Sequence, residues 1–211
     1  MERKLISLSE YICLRILTIT QCYWSLLDGN ATSTWADALV TPEGVHQAEI
    51  AAAYWASRFK LQKMPYPEVY YSSPLSRCLE TARITFANQK LDKDYPFEPI
   101  VKEFLREGIS GHTCDRRRSK SYIHKNWPAF KFEKGFTEND ELFRELIAEG
   151  GDNQDNRNRE LLEDILGDDK KTYISISSHS GEITSILRGE FGFIFRDFFI
   201  FWILDFGREE C

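Results

Sequence analysis

Two turns of this sequence, each between an apolar run and a helix-like segment, carry residues suited to holding an anion. The first is Ser72-Ser73-Pro74, with Arg77 one turn further on; the second is Ser178-His179-Ser180-Gly181, where His179 follows an apolar strand-like run directly. A helix start presents unpaired N–H groups to phosphate, a guanidinium forks around its oxygens, and an imidazole changes charge near neutral pH. Taken singly, Arg77 also reads as a solvated helix arginine and His179 as a satisfied core or rim histidine. A third segment, Phe104-Leu105-Arg106-Glu107-Gly108, sets a carboxylate after an apolar stretch and runs on to His112 and Arg116-Arg117-Arg118. A carboxylate beside arginines is often only a surface ion-pair cluster.

The other reactive residue types offer less. His46 falls within a helix as a surface residue, and His124 lies in a polar stretch before Trp127-Pro128. Neither has metal-ligand spacing to a second histidine or carboxylate. Cys114 invites comparison with cysteine phosphatases, whose phosphate loop needs His-Cys, five residues, then Arg. Here Thr113 separates His112 from Cys114, and Lys120 stands in the arginine's place. That pattern fails.

The elements that must position these residues alternate along the chain. Thr41-Pro42 is a helix start, with Thr as N-cap and Pro in the first turn. Val45, Ala48, Ala52, Trp55 and Phe59 follow at helical spacing, and Pro65 and Pro67 lead into a β-prone Val69-Tyr70-Tyr71. Ser73-Pro74 repeats the start signal, with Leu75, Cys78, Leu79, Ala82 and Phe86 as the buried face. Thr137 with Asp140 predicts a third helix carrying Leu142, Phe143, Leu146 and Ile147, stopped by Gly150-Gly151. Leu161, Leu162, Ile165 and Leu166 mark another helix, ending at Gly167. Thr172 to Ser177 reads as a strand and Glu182 to Arg188 as a helix. Such alternation predicts an α/β fold, a three-layer α/β/α sandwich with a mostly parallel central sheet. In such sheets ligands gather at the carboxyl ends of the strands.

Composition limits the partners. With 27 basic and 33 acidic residues the net charge is −6, which argues against nucleic acid. A small anion remains compatible, through a local basic pocket. Five scattered cysteines without a C-x-x-C pair indicate reduced thiols in a cytoplasmic protein, with no disulfide framework or structural zinc. Residues 5–27 are apolar on average but carry Glu10 and Arg15, and the Phe-rich stretch from Phe191 to Phe206 is broken by Arg196, Asp197 and Asp205. No membrane span is expected, and the uncharged run Phe198 to Leu204 reads first as a buried strand, with a partner-binding edge and a membrane-surface contact as the alternatives. One domain over 1–211 is expected, with atypical segments at 1–23 and 189–211.

Four ordered stretches together resemble the histidine phosphatase superfamily, which includes the phosphoglycerate mutases, and most closely its fungal phosphoglycerate-mutase-like and phosphomutase-like members. They are Trp35 to Gly44 with Gln47-Ala48, YYSSPLSRCLETA (Tyr70 to Ala82), FLREGISGHTCDRR (Phe104 to Arg117) and SISSHSGEI (Ser175 to Ile183). The resemblance implies phosphoryl transfer without metal or cofactor on a small phosphorylated substrate. A neutral histidine attacks phosphorus, and the resulting phosphohistidine is discharged by water or a second substrate oxygen. By the same resemblance Arg77 clamps phosphate oxygens, His179 stabilises them and Glu107 protonates the leaving oxygen. Arg116 to Arg118 either add positive field at the site's mouth or are solvated.

One motif is missing. The family's nucleophile lies in an Arg-His-Gly after the first strand, and no histidine precedes His46 here. Arg15 to Thr20 (RILTIT) suits a first strand, but Gln21-Cys22 follows it. A Cys22 nucleophile lacks a phosphate loop around it. Two expectations follow: a phosphomonoesterase or phosphomutase impaired in this chain, or a non-catalytic phosphate-ligand or partner-binding protein that keeps Arg77, Glu107 and His179 as its pocket.

Overall fold

A computed structural model describes residues 27–29, 35–145, 147–167 and 171–188, and a further strand at Phe199–Asp205. Thr41 caps helix α1 (Pro42–Leu61) by accepting the Gly44 N–H at 3.1 Å, and the helix buries Ala48, Ala51, Trp55 and Phe59. Strand β1 (Val69–Ser72) leads to α2 (Ser76–Phe86). The short β2 (Ile100–Val101), α3 (Lys120–Asn126) and β3 (Lys131–Phe132) follow, then α4 (Gly151–Leu166), β4 (Tyr173–His179), α5 (Ser180–Arg188) and β5 (Phe199–Asp205). Single 3-10 turns occupy Glu103–Leu105 and Thr113–Asp115.

The five strands form one parallel sheet in the order β3-β2-β1-β4-β5. Side chains alternate across a strand, and β1 shows it: Tyr70 packs with Trp55, Phe59 and Phe86 from α1 and α2, while Tyr71 joins Leu161, Leu162 and Ile165 of α4 and Ile186 of α5. Ile174 and Ile176 of β4 enter the same α4–α5 core. A third apolar group, Leu79, Ala82, Val101, Ile123, Trp127 and Phe130, seats α2 and α3 over the other end of the sheet. Helices therefore cover both faces, the three-layer α/β/α arrangement that the alternation of elements predicts.

Three local expectations need correction. No helix runs from Thr137: Glu141 to Gly150 is bends and turns, apart from Leu146, which lies outside the described residues. Asp140 does accept the N–H groups of Leu142 and Phe143, at 3.1 and 3.0 Å. The same carboxylate is tied to the Arg106 guanidinium and the Arg117 N–H, which holds the chain in a turn. Helix α2 begins at Ser76, not beside Ser73-Pro74. The Arg116–Arg118 run is tied into the protein rather than simply solvated, with Arg117 buried and Arg116 and Arg118 half-buried. Arg117 is buried and donates to Glu103 and to four backbone carbonyls, Arg116 pairs with Asp28, and Arg118 donates to the Ala36 carbonyl. The candidate first strand Arg15 to Thr20 and Cys22 lie outside the described residues. The Phe-rich segment does supply a strand, β5, in register with β4 from Tyr173↔Phe199 to His179↔Asp205.

Candidate functional site

Parallel strands send their following segments to the same edge of the sheet, and all three candidate residues arrive there that way. Arg77 follows β1, Glu107 follows β2 and its 3-10 turn, and His179 ends β4. The strands are neighbours, with Ser72 in register with both Val101 and Ser177. The Ser178 hydroxyl donates to the Leu105 carbonyl at 2.7 Å, stitching the Glu107 segment to the His179 segment.

His179 is only 1% exposed. Its Nε2 lies 2.8 Å from Ser73 Oγ and 3.3 Å from Cys78 Sγ, so residues from either side of Arg77 frame the imidazole. Ser73 also accepts the Leu75 N–H at 3.3 Å. This explains why Ser73 is no helix cap: its hydroxyl faces the histidine. The cap comes instead from Asp37, whose carboxylate takes the Ser76 N–H at 2.8 Å and the Ser76 hydroxyl at 2.5 Å. Burial pushes the Asp37 carboxyl up, opposed by these Ser76 hydrogen bonds and by Arg77 and Arg118. Its backbone is left-handed, with φ 49°, a conformation that aspartate tolerates better than most residues.

Arg77 is buried in the first turn of α2 and donates from Nη1 to the Cys114 carbonyl at 2.8 Å and from Nη2 to Asp115 Oδ1 at 3.3 Å. Asp115 in turn accepts the Ser110 hydroxyl. Beneath this lies a second tier: Arg106, fully buried, binds both Asp140 oxygens, Glu103 and the Asp115 carbonyl. Burial alone would push the Asp140 carboxyl up; the Arg106 hydrogen bond and charge outweigh it and hold the carboxyl below its usual range.

Glu107 rests its carboxylate against the start of α5. Its Oε1 accepts the Gly108 N–H at 2.9 Å, and a Cβ at Gly181 would overlap that oxygen. Glycine is needed there for close approach. Behind it, Arg157 of α4 donates to the carbonyls of Phe104 and Arg106, to Glu149, and to Glu182 at 3.2 and 3.3 Å. Glu182 also accepts from Gln154 at 2.9 Å. Burial pushes the Glu182 carboxyl up to about 8, with Arg157 and Gln154 opposing and Glu107 and Glu149 adding to the rise.

The structure thus brings Arg77, Glu107 and His179 to one edge. It sets His46 and His124 apart as exposed helix residues, His46 beside Glu49 at 3.7 Å. Among the described residues no group of three or more His, Cys, Asp or Glu is arranged to hold a metal ion, and no helix is long and apolar enough to cross a membrane. Sequence reasoning gives no site role to the supporting residues Asp37, Cys78, Asp115, Arg157 and Glu182. Each but Arg157 lies inside one of the four motif stretches, which is the only signal that marks them.

The likeness to known proteins agrees with this geometry. The chain is 48% identical over 165 residues to the probable phosphoglycerate mutase of Arthroderma benhamiae, covering 78% of this chain and 49% of that protein. It is 37% identical to phosphomutase-like protein 3 of Candida albicans, over 79% of this chain and 50% of the relative. The chain therefore spans about half the length of these curated relatives. Among solved structures, the ecdysone phosphate phosphatase of Bombix mori shares the fold, with TM-score 0.50 and 14% identity over 83% of this chain and 74% of that one. Residues 22–203 match the family model of the histidine phosphatase superfamily (branch 1), and the chain belongs to that family.

Proposed function

We propose that this chain forms a phosphate-binding site of the phosphomonoesterase and phosphomutase type, acting on small phosphorylated molecules, and that its chemistry is impaired because no Arg-His-Gly supplies a nucleophile. The observation that carries the reading is the convergence of Arg77, Glu107 and His179 on one sheet edge, beside the Ser73 and Cys78 contacts to the imidazole. In this reading Arg77 and His179 hold phosphoryl oxygens, where fixed positive charge is worth most. Glu107 delivers a proton to the leaving oxygen. Loss of a nucleophile costs many orders of magnitude in rate, and the remaining groups cannot replace it. The names of the fungal relatives, phosphoglycerate mutase and phosphomutase-like protein, support phosphorylated small molecules as the substrate class.

The test pairs hydrolysis of an aryl phosphate with calorimetric binding of inorganic phosphate, for the chain and its His179→Ala and Arg77→Ala variants. We expect saturable phosphate binding that both substitutions weaken by at least about tenfold, the equivalent of about 1.4 kcal/mol, without turnover. Turnover abolished by His179→Ala replaces this reading with that of a working enzyme whose nucleophile lies elsewhere. Absence of phosphate binding sinks it in favour of a partner-binding fold.

A further inference from the structure

Every polar atom of Ser73 is engaged. Its N–H donates to the Ser177 carbonyl at 2.9 Å, and its carbonyl accepts the Ser72 hydroxyl at 3.1 Å. Its Oγ accepts the Leu75 N–H at 3.3 Å and lies 2.8 Å from His179 Nε2. The residue is fully buried. Pro74 carries no N–H, so the hydroxyl turns past it to the next donor of the chain. The bond to Ser177 ties Ser73 to β4, the strand that ends at His179.

A hydroxyl has one proton and two lone pairs. The Leu75 N–H takes one lone pair, and among the described residues the Ser73 proton has one acceptor, Nε2. A proton on Nε2 would claim the second lone pair and leave the hydroxyl proton buried without an acceptor, a costly state. The Cys78 thiol lies 3.3 Å from the same nitrogen and 3.8 Å from Nδ1. A thiol is a weak donor and a weak acceptor, so the hydroxyl at 2.8 Å governs.

Which nitrogen of a neutral imidazole holds the proton is set by the hydrogen bond that the other makes. We propose that Ser73 is a positioning residue that fixes neutral His179 with its proton on Nδ1. The imidazole then offers a hydrogen bond from Nδ1. The lone pair of Nε2, the one able to attack phosphorus, is held by the Ser73 hydroxyl. Ser73 thereby keeps His179 a donor and stops it from standing in for a nucleophilic histidine. That the Nδ1 proton serves a phosphoryl oxygen rests on the function proposed above; the tautomer itself does not.

The test is nitrogen-15 NMR of the full chain labelled at histidine, at about pH 9, well above the ordinary histidine range. His179→Gln assigns the His179 signals among the four histidines. We expect the proton on Nδ1, with Nε2 resonating as a hydrogen-bonded acceptor. Ser73→Ala should mix the two tautomers, and Cys78→Ala should leave the Nδ1 form in place. Under the same conditions Ser73→Ala should weaken binding of inorganic phosphate about fivefold, as the competent tautomer falls to a fraction of the population. The proposal is overturned if the proton sits on Nε2 in the unsubstituted chain, if the Nδ1 form persists undiminished in Ser73→Ala, or if Cys78→Ala abolishes it. Phosphate affinity indifferent to Ser73→Ala overturns the link to the anion. The tautomer is read without substrate, so a chain that shows it yet fails to bind phosphate loses only the proposed function.

Discussion

Two buried ion networks flank the site, one under Arg77 and one behind Glu107, and they differ in how far arginine offsets burial. Under Arg77, the guanidiniums of Arg77, Arg106 and Arg117 meet the carboxylates of Asp115, Glu103 and Asp140, three against three. Behind Glu107, Arg157 pairs with Glu149 and Glu182. The Arg77 network fixes the 103–118 and 137–140 loops, and Arg106 holds the Asp140 carboxyl below its usual range against burial. Arg157 opposes burial at Glu182 without outweighing it, and that carboxyl stays raised to about 8. The same residue types thus lower one buried carboxyl and leave the other raised.

The largest test of this contrast removes the keystone of the Arg77 side. Arg106→Met leaves Asp140 and Glu103 buried without their counter-charge, and we expect a loss of about 3–5 kcal/mol in urea unfolding. A loss under about 1 kcal/mol would mean that the network is not structural. The Glu182 side should instead show itself through pH. Glu182 has an ordinary carboxyl pKa near 4.5 when unfolded and one raised to about 8 when folded. The native state therefore binds the proton more tightly between these values. Its contribution to stability is complete below about 4.5, falls as pH rises through 8, and is level beyond. Urea midpoints at pH 5 and pH 9 should differ more for the unsubstituted chain than for Glu182→Gln; equal differences would erase the contrast.

Smaller effects sharpen the picture at the seams. Gly181→Ala drives a methyl into Glu107 Oε1 and should cost about 1–3 kcal/mol, with the Glu107 carboxyl resonance shifted; an unshifted resonance would show that the two do not touch. Asp37→Ala removes the cap of α2 and should cost about 1–2 kcal/mol by the same unfolding measurement. Lys131→Ala deletes an exposed pair with Glu98 and should stay within about 0.5 kcal/mol, the baseline for an ion pair that belongs to neither network.

What the sequence made legible divides along the same line, between short-range and long-range partners. Thr41 caps α1 through an N–H three residues away, so its signal is local and readable. The α2 face Leu75, Cys78, Leu79, Ala82 and Phe86 is entirely buried, as its periodicity predicts. Ser73 misleads because the true cap lies at Asp37, 39 residues from Ser76, which releases the Ser73 hydroxyl to a histidine 106 residues further on. Thr137-Asp140 misleads because Arg106 claims the carboxylate on which a helix start would have drawn. The arginine run misleads because a row of cations gives no hint of the Glu103 and carbonyl acceptors folded over it. Arg77, Glu107 and His179 could be singled out through their order within a family pattern; the ion pairs around them exist only once the chain is folded.

Strand β4 ends at His179 and helix α5 begins at Ser180, with no residue between them. A single inserted residue at this junction would turn α5 by about 100°, carrying Ile183 and Ile186 out of the core and Glu182 away from Arg157. Length variation among descendants of this sequence should therefore be purged at the 179–180 boundary and accumulate in the exposed stretch from Asp92 to Asp94, as surface loops tolerate it.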